Sequence, residues 1–340
     1  VISRVVDRRF VFGTEEKEKF RALMRLQEKF TGCRVASYCL MCNHFHLLLE
    51  VLPMAEGGLS DEALLKRLSA IDSEAFVAGV AQELADAKTV AYANEDGLDE
   101  AVAAIHKRLT YRMHDLEFMK GLLQRFTQWL NRAHSRTGRL WEDRFKSLIV
   151  EDGVAAKTIS AYIDLNPARA GMVKEPADYR WSSYEEAIGG GSKGNGKTAR
   201  AGLVRALRAH QGVAADAGLW ADGVSREYRK LLMVGAVGKS SESVARDGKA
   251  ITKTLRKGIS KEEAEREQDG EVPLGKMLRC RIRYFTDGAV IGSRSFVDEA
   301  FAKSRERFGA KRKDGARAMR GSGSGAKGQL WSVRDLRMRI

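Results

Sequence analysis

The sequence predicts an α+β fold over residues 1–188 followed by a mainly α-helical C-terminal domain, and three observations lead there. The first fifty residues alternate strand-like and helix-like periodicity in the order strand, helix, strand, strand. Amphipathic helical stretches dominate the chain beyond them. A glycine-rich run, Gly189-Gly190-Gly191-Ser192-Lys193-Gly194-Asn195-Gly196-Lys197, then marks a flexible linker over 189–200, beyond which the charge balance changes.

Taken in order, residues 1–12 are rich in β-branched and aromatic side chains and read as a strand. Thr14 is a candidate N-cap, with Glu15 and Glu16 suited to the positive end of a helix. Phe20, Leu23, Met24, Gln27 and Phe30 recur at helical spacing, and Gly32 stops the helix. Residues 34–40 and 44–51 follow as strands joined by a turn near Met41-Cys42-Asn43. Residues 54–104, with 11 acidic side chains against 3 basic ones, read as an acidic helical insertion with helices at 61–69 and 73–87. A long helix at 116–135 carries Phe118, Leu122, Phe126, Trp129 and Leu130 on one stripe. Residues 139–150 are expected as a fourth strand and 153–165 as a helix ended by Asn166-Pro167, because proline restrains the residue before it. In the 201–340 extension, helices at 274–285 and 293–308 around Thr286-Asp287-Gly288 are compatible with a helix-turn-helix. The Gly/Ser-rich basic tail at 311–325 is expected to stay mobile until it meets DNA, and 331–340 to dock as a final amphipathic segment.

Composition bounds the function. A chain of 340 residues, 44% apolar and without an apolar run near the length of a membrane span, is expected to be soluble and long enough for two domains. The opening Val1-Ile2-Ser3-Arg4 reads as a strand and not as a secretory signal, and the missing initiator Met suggests a few trimmed residues. Four cysteines, Cys33, Cys39, Cys42 and Cys280, make no disulfide framework, so a reducing cytoplasm, with nucleoid association, is the expected compartment. The net charge of +14 is unevenly spread: residues 189–340 hold 33 Lys and Arg against 17 Asp and Glu, a net of +16, and residues 1–188 hold 26 against 28, a net of −2. Such asymmetry suits a nucleic-acid-binding extension, since neutralising phosphates drives non-specific affinity. A solvated basic tail is the plainer alternative.

The chemistry is concentrated at His44-Phe45-His46. On a strand both imidazoles point to one face and Phe45 to the other, which makes half of a divalent-metal site. Read as a helix, 153–165 and its continuation place Tyr162 and Asn166 at i and i+4 on one face, offering a nucleophile and a third ligand.

Four ordered segments carry a resemblance: Ile2-Ser3-Arg4-Val5-Val6-Asp7-Arg8-Arg9, Cys42-Asn43-His44-Phe45-His46-Leu47-Leu48, Leu140-Trp141-Glu142-Asp143-Arg144-Phe145-Lys146-Ser147 and Tyr162-Ile163-Asp164-Leu165-Asn166-Pro167-Ala168-Arg169-Ala170-Gly171. Together they resemble the HUH single-tyrosine transposases, most closely the REP-associated branch, over roughly residues 1–185. The resemblance implies a ferredoxin-like antiparallel sheet with packed helices. It also implies single-stranded, hairpin-forming repeat DNA as substrate, Tyr162 as nucleophile, and Mg²⁺ or Mn²⁺ held by His44, His46 and the amide oxygen of Asn166. No nucleotide cofactor is expected, since the phosphotyrosine linkage keeps the bond energy, nor a membrane partner; the chain is expected to be a monomer or homodimer. Within this class a replication-initiator or relaxase-like nickase is the alternative, and outside it a catalytically silent regulator that binds repeat DNA.

Three other readings of the histidines stand beside this one, among them the opening strand of a metal-hydrolase barrel, although the remaining His106, His114, His134 and His210 lie in helix-like contexts. Cys39-x-x-Cys42-x-His44-x-His46 offers ligands for a structural zinc ion, and two satisfied core histidines are the plain alternative. Charge nominates Arg4, Arg8, Arg9, Arg144, Lys146, Arg169, Arg294, Lys311, Arg312 and Lys313 as DNA contacts. On a strand, Trp141 and Phe145 would share the core face opposite Arg144. A fragment ending near residue 189 is expected to keep the site and its cleavage.

Overall fold

The computed structural model describes residues 1–53, 58–92, 98–113, 115–190, 194–214, 216–221, 223–236, 239–244, 250–256, 288–308, 310, 312–319 and 329–334. It is α+β and falls into two compact units. The first comprises residues 1–8, 36–48 and 143–340, the second 9–35 and 49–142.

The first unit holds a three-stranded antiparallel sheet. Its strands are β1 (Ile2–Arg4), β2 (Arg34–Leu40, whose first two residues belong to the other unit) and β3 (His44–Glu50, continuing into it), in the order β1-β3-β2. β1 is far shorter than the expected strand at 1–12. Asp7 and Arg8 adopt left-handed backbone (φ 56 and 53), a conformation that strand residues avoid, and this ends the extended run. The fourth strand expected at 139–150 is likewise reduced. Lys146 bridges the free edge of β1, exchanging two 2.8 Å backbone hydrogen bonds with Ile2. Only Ile149–Val150 (β4) is regular strand, and it pairs in parallel with β7 (Gly288–Gly292) of a different sheet.

Helix α6 (Val154–Asp164) starts at Gly153, whose φ of 81 favours glycine. The chain then resumes as the single turn α7 (Asn166–Arg169). Pro167 therefore interrupts the helix near the expected position without turning the chain away. The supposed linker at 189–200 is structured in its described part. α8 (Ser183–Gly189) is followed by α9 (Asn195–Arg208), and a Cβ on Gly196 would lie 2.3 Å from the Gly190 carbonyl oxygen. These glycines permit close backbone approach. α9 and α10 (Val224–Ala236) bury Leu203, Val204, Leu207, Tyr228 and Leu231 in one core with Tyr162, Ile163 and Leu165 of the tyrosine helix.

Among the described residues beyond 201, the chain has strands as well as helices. It contains the hairpin β5 (Lys239–Val244) and β6 (Ala250–Arg256), and a four-stranded sheet β4-β7-β9-β8 completed by β8 (Arg317–Ala318) and β9 (Trp331–Arg334). Of the expected helix-turn-helix, residues 274–285 lie outside the described residues. What precedes α11 (Arg294–Lys303) is the strand β7. Residues 312–319 of the supposed mobile tail are built into this part, with Met319 buried. Residues 331–334 form β9, whereas 335–340 lie outside the described residues.

The second unit contains α1 (Thr14–Thr31), α2 (Asp61–Leu68), α3 (Glu74–Tyr92), α4 (Leu98–Thr110) and α5 (Asp115–Ala133). Gly13, not Thr14, is the N-cap of α1, and Gly32 at φ 77 closes it. The acidic insertion is no loose decoration: Leu64, Leu68, Val80, Leu84, Ile105 and Leu109 form a core with Phe30 of α1. Trp141 packs among Phe12, Phe20 and Phe126 and donates its indole N–H to the Thr127 hydroxyl at 3.0 Å, in line with its expected core role.

Candidate active site

The sheet register sets the site. Arg4 stands opposite His44, Ile2 opposite His46, and Lys146 opposite Ile2. Directly opposed residues of antiparallel strands share a face, so His44, His46, Arg4 and Lys146 line one face of the sheet. Phe45, on the other face, is fully buried. The two imidazole rings lie edge to face with centroids 5.2 Å apart.

Tyr162 reaches these histidines from α6. Its ring stands nearly perpendicular to that of His46, with centroids 5.8 Å apart, and the Arg169 guanidinium sits 5.3 Å from the phenol centroid on the other contact. Residues more than a hundred positions apart thus meet as the sequence expected. Tyr162 is also only 1% exposed. The rival Tyr179 is committed elsewhere, its hydroxyl donating to the Leu40 carbonyl at 2.6 Å.

Asn166 lies one turn beyond Tyr162. Its Nδ2 donates to the carbonyls of Tyr162 (3.0 Å) and Ile163 (3.2 Å). The physical reason is Pro167: it has no N–H, so the Ile163 carbonyl lacks its usual helical donor and the asparagine amide takes that place. With the amide hydrogens directed at these carbonyls, Oδ1 is the side-chain atom that could act as an acceptor or ligand.

Both imidazoles are held neutral. Burial, followed by the Arg4 guanidinium, lowers the His44 pKa to about 4. Burial, followed by His44, pushes His46 well below the ordinary range. Neutral imidazole is the metal-binding form. Sequence reasoning passed over Asn43, which orients His44. Its Nδ2 donates to the Arg8 carbonyl at 2.9 Å, so its Oδ1 faces the His44 Nδ1 at 2.7 Å and accepts that proton. Nε2 then carries the lone pair, the role a hydrogen-bonding partner has in fixing a ligating histidine. The left-handed Arg8 presents this carbonyl, so the short β1 and its sharp exit have a use at the site. The signal available in the sequence was an asparagine immediately before the histidine pair.

Two neutral imidazoles and an amide oxygen are a donor set compatible with Mg²⁺ or Mn²⁺, with Mn²⁺ better suited to the nitrogens. Among the described residues no three His, Cys, Asp or Glu side chains converge on a point that could hold a metal, and Cys39 is buried with its Sγ 3.7 Å from the Met41 sulfur.

The other nominated cations divide. Arg8, Arg9, Arg144 and Lys146 are exposed. Arg294 is paired with Asp298 at 3.6 Å and lies over Trp331. Arg312, expected in a mobile DNA-binding tail, instead covers Phe301 and Phe308 and donates to the Asp314 carbonyl at 3.1 Å. Its planar head is used in packing, as guanidinium groups commonly are on aromatic faces. Lys313 is exposed beside it, and Lys311 lies outside the described residues. No helix of the described residues is long and apolar enough to cross a membrane. No family model, curated protein or solved structure matches this chain.

Proposed function

We propose that this chain is a metal-dependent single-stranded DNA endonuclease and strand transferase of the HUH single-tyrosine type, acting beside hairpin-forming repeat DNA. The observation that carries the reading is Tyr162 standing 5.8 Å, ring to ring, from His46, with His44 on the same face. The order β1, α1, β2, β3, α5 and then the Lys146 bridge supports the ferredoxin-like plan, a β-α-β-β-α-β succession.

In this reaction the Tyr162 oxygen attacks the scissile phosphorus, the bond to the 3′ oxygen breaks, and the 5′ phosphate remains on the tyrosine. The phenol gives up its proton and the departing 3′ oxygen gains one. A phenol with a reference pKa of about 10 needs help at neutral pH. A divalent ion held by His44, His46 and Asn166 Oδ1 would supply charge neutralisation at the phosphate and at the leaving oxygen. Arg169 adds a fixed positive charge beside the phenol, and Arg4 and Lys146 offer the sheet face to the phosphate backbone. Attack by a free 3′ hydroxyl on the phosphotyrosine rejoins strands and regenerates the tyrosine, conserving bond energy without a nucleotide cofactor.

The 1% exposure of Tyr162 favours a second reading, a regulator that binds repeat DNA without cutting it. A nicking assay on a hairpin oligonucleotide with Mn²⁺ separates the two. The enzyme nicks, and Tyr162→Phe loses at least about a thousandfold in rate while binding is retained; a binder retards the oligonucleotide and leaves it whole.

A further inference from the structure

The tyrosine helix is held from below by a buried polar chain that begins on α10, beyond the segment resembling the transposases. Asp164, fully buried, accepts the Tyr228 hydroxyl on Oδ2 at 2.6 Å. On Oδ1 it accepts the Ser183 hydroxyl at 2.8 Å and the Tyr184 N–H at 3.2 Å. The Tyr228 oxygen lies 3.1 Å from the Ser160 hydroxyl, one turn back on α6. Ser183 in turn accepts the backbone N–H of Tyr38 at 3.0 Å and meets the Ser37 hydroxyl at 3.0 Å, both on β2, which flanks the histidine strand. Ser160 and Asp164 are i and i+4 on α6, so one phenol grips a full turn of the helix, with Tyr162 midway between them. The preceding residue on α10, Glu227, ion-pairs with Lys157 of α6 and with Arg208 of α9, the latter at 2.5 Å.

We propose that Tyr228 is a positioning residue: through Asp164 and Ser183 it locks the tyrosine helix to the sheet, and so sets the height of Tyr162 against His46. A hydrophobic contact alone lets a helix slide by a fraction of a turn. Hydrogen bonds that join α10, α6, α8 and β2 at a single carboxyl do not, because each has a narrow range of length and angle. The proposal rests on Tyr162 being the nucleophile. It places part of the catalytic apparatus at residues 227–228.

The test compares Tyr228→Phe, which removes one oxygen from a packed ring, with Leu231→Ala, a larger core loss on the same helix outside the polar chain. In the full-length protein, at saturating hairpin oligonucleotide with Mn²⁺ and below both melting temperatures, Tyr228→Phe is expected to lower the single-turnover nicking rate at least tenfold with unchanged half-saturation. Leu231→Ala should stay within about threefold of wild type. Hydrogen exchange read at the amides of 154–164 should accelerate at least tenfold in Tyr228→Phe and less in Leu231→Ala. A Tyr228→Phe protein with wild-type rate and exchange would overturn the proposal, as would equal losses in both variants. If the wild-type protein itself fails to nick, the nuclease reading falls, and the exchange comparison still decides whether Tyr228 fixes the helix.

Discussion

At His44 and Asn166 the same amide chemistry does opposite jobs. Asn43 uses its oxygen to fix the His44 tautomer, and Asn166 uses its nitrogen to satisfy two carbonyls of the interrupted helix. This ranks the proposed ligands. His44→Ala and His46→Ala should each eliminate Mn²⁺-dependent nicking, whereas Asn166→Ala should be partly rescued by raising Mn²⁺, since a two-imidazole site survives. Leaving the two carbonyls short of a donor should also cost Asn166→Ala about 1 kcal/mol of stability. Equal rescue of all three variants in a metal titration of the nicking rate would remove Asn166 and both histidines from any ranked set. Arg4 and Lys146 give a second prediction. If each meets one phosphate of a single strand, Arg4→Ala and Lys146→Ala should each reduce the log–log salt slope of binding by about 0.7. A slope unchanged in both variants would mean that the strand does not cross this face.

The tyrosine helix buries a carboxyl, and that has a consequence in pH. Burial raises the Asp164 pKa to about 7, against the hydrogen bonds from Tyr228 and Ser183 that pull it down. The folded state therefore holds a proton that the unfolded chain releases near pH 4. The associated stability is fully present below that point and is lost as pH rises through about 7. Urea midpoints should fall between pH 5 and pH 8 more steeply for the wild type than for Asp164→Asn; parallel profiles would show that Asp164 is ionised throughout. At this scale the sequence was read well wherever apolar periodicity was strong, as in α1, α5, α6, β2 and β3. It was read poorly at β1 and at 139–150, where β-branched composition suggested strands. There, regular strand is confined to Ile2–Arg4 and to Ile149–Val150, with Lys146 an isolated bridge, which local pattern cannot reveal. The glycines at 190 and 196 looked like a flexible linker because composition does not distinguish freedom from close packing.

Across the whole molecule, the break in charge at residue 189 is not a break in the fold. Leu203, Val204, Leu207, Trp220, Tyr228 and Leu231 pack in the core that contains Tyr162. A fragment ending at Gly189 should therefore fail to unfold cooperatively and should lose cleavage, contrary to what the charge split alone suggested. A fragment with the full-length nicking rate and a sharp melting transition would restore the two-domain picture. Half of the site, His44 with His46, was visible from side-chain alternation. Tyr162, which meets His46, was visible through the resemblance, and the i, i+4 spacing nominated Asn166 beside it. Asp164 and Tyr228 meet partners far along the chain and left no local trace, whereas Asn43 was marked only by its place before the histidine pair. The central claim concerns one oxygen atom, and covalent trapping tests it most directly. The full-length chain is incubated with Mn²⁺ and a hairpin oligonucleotide labelled at either end, denatured, digested and mapped by mass spectrometry. The predicted result is that the 3′-end label stays with the protein, the 5′-end label does not, and the nucleotide mass sits on the peptide containing Tyr162. An adduct on another tyrosine, or nicking with no adduct in single-turnover conditions, would contradict it.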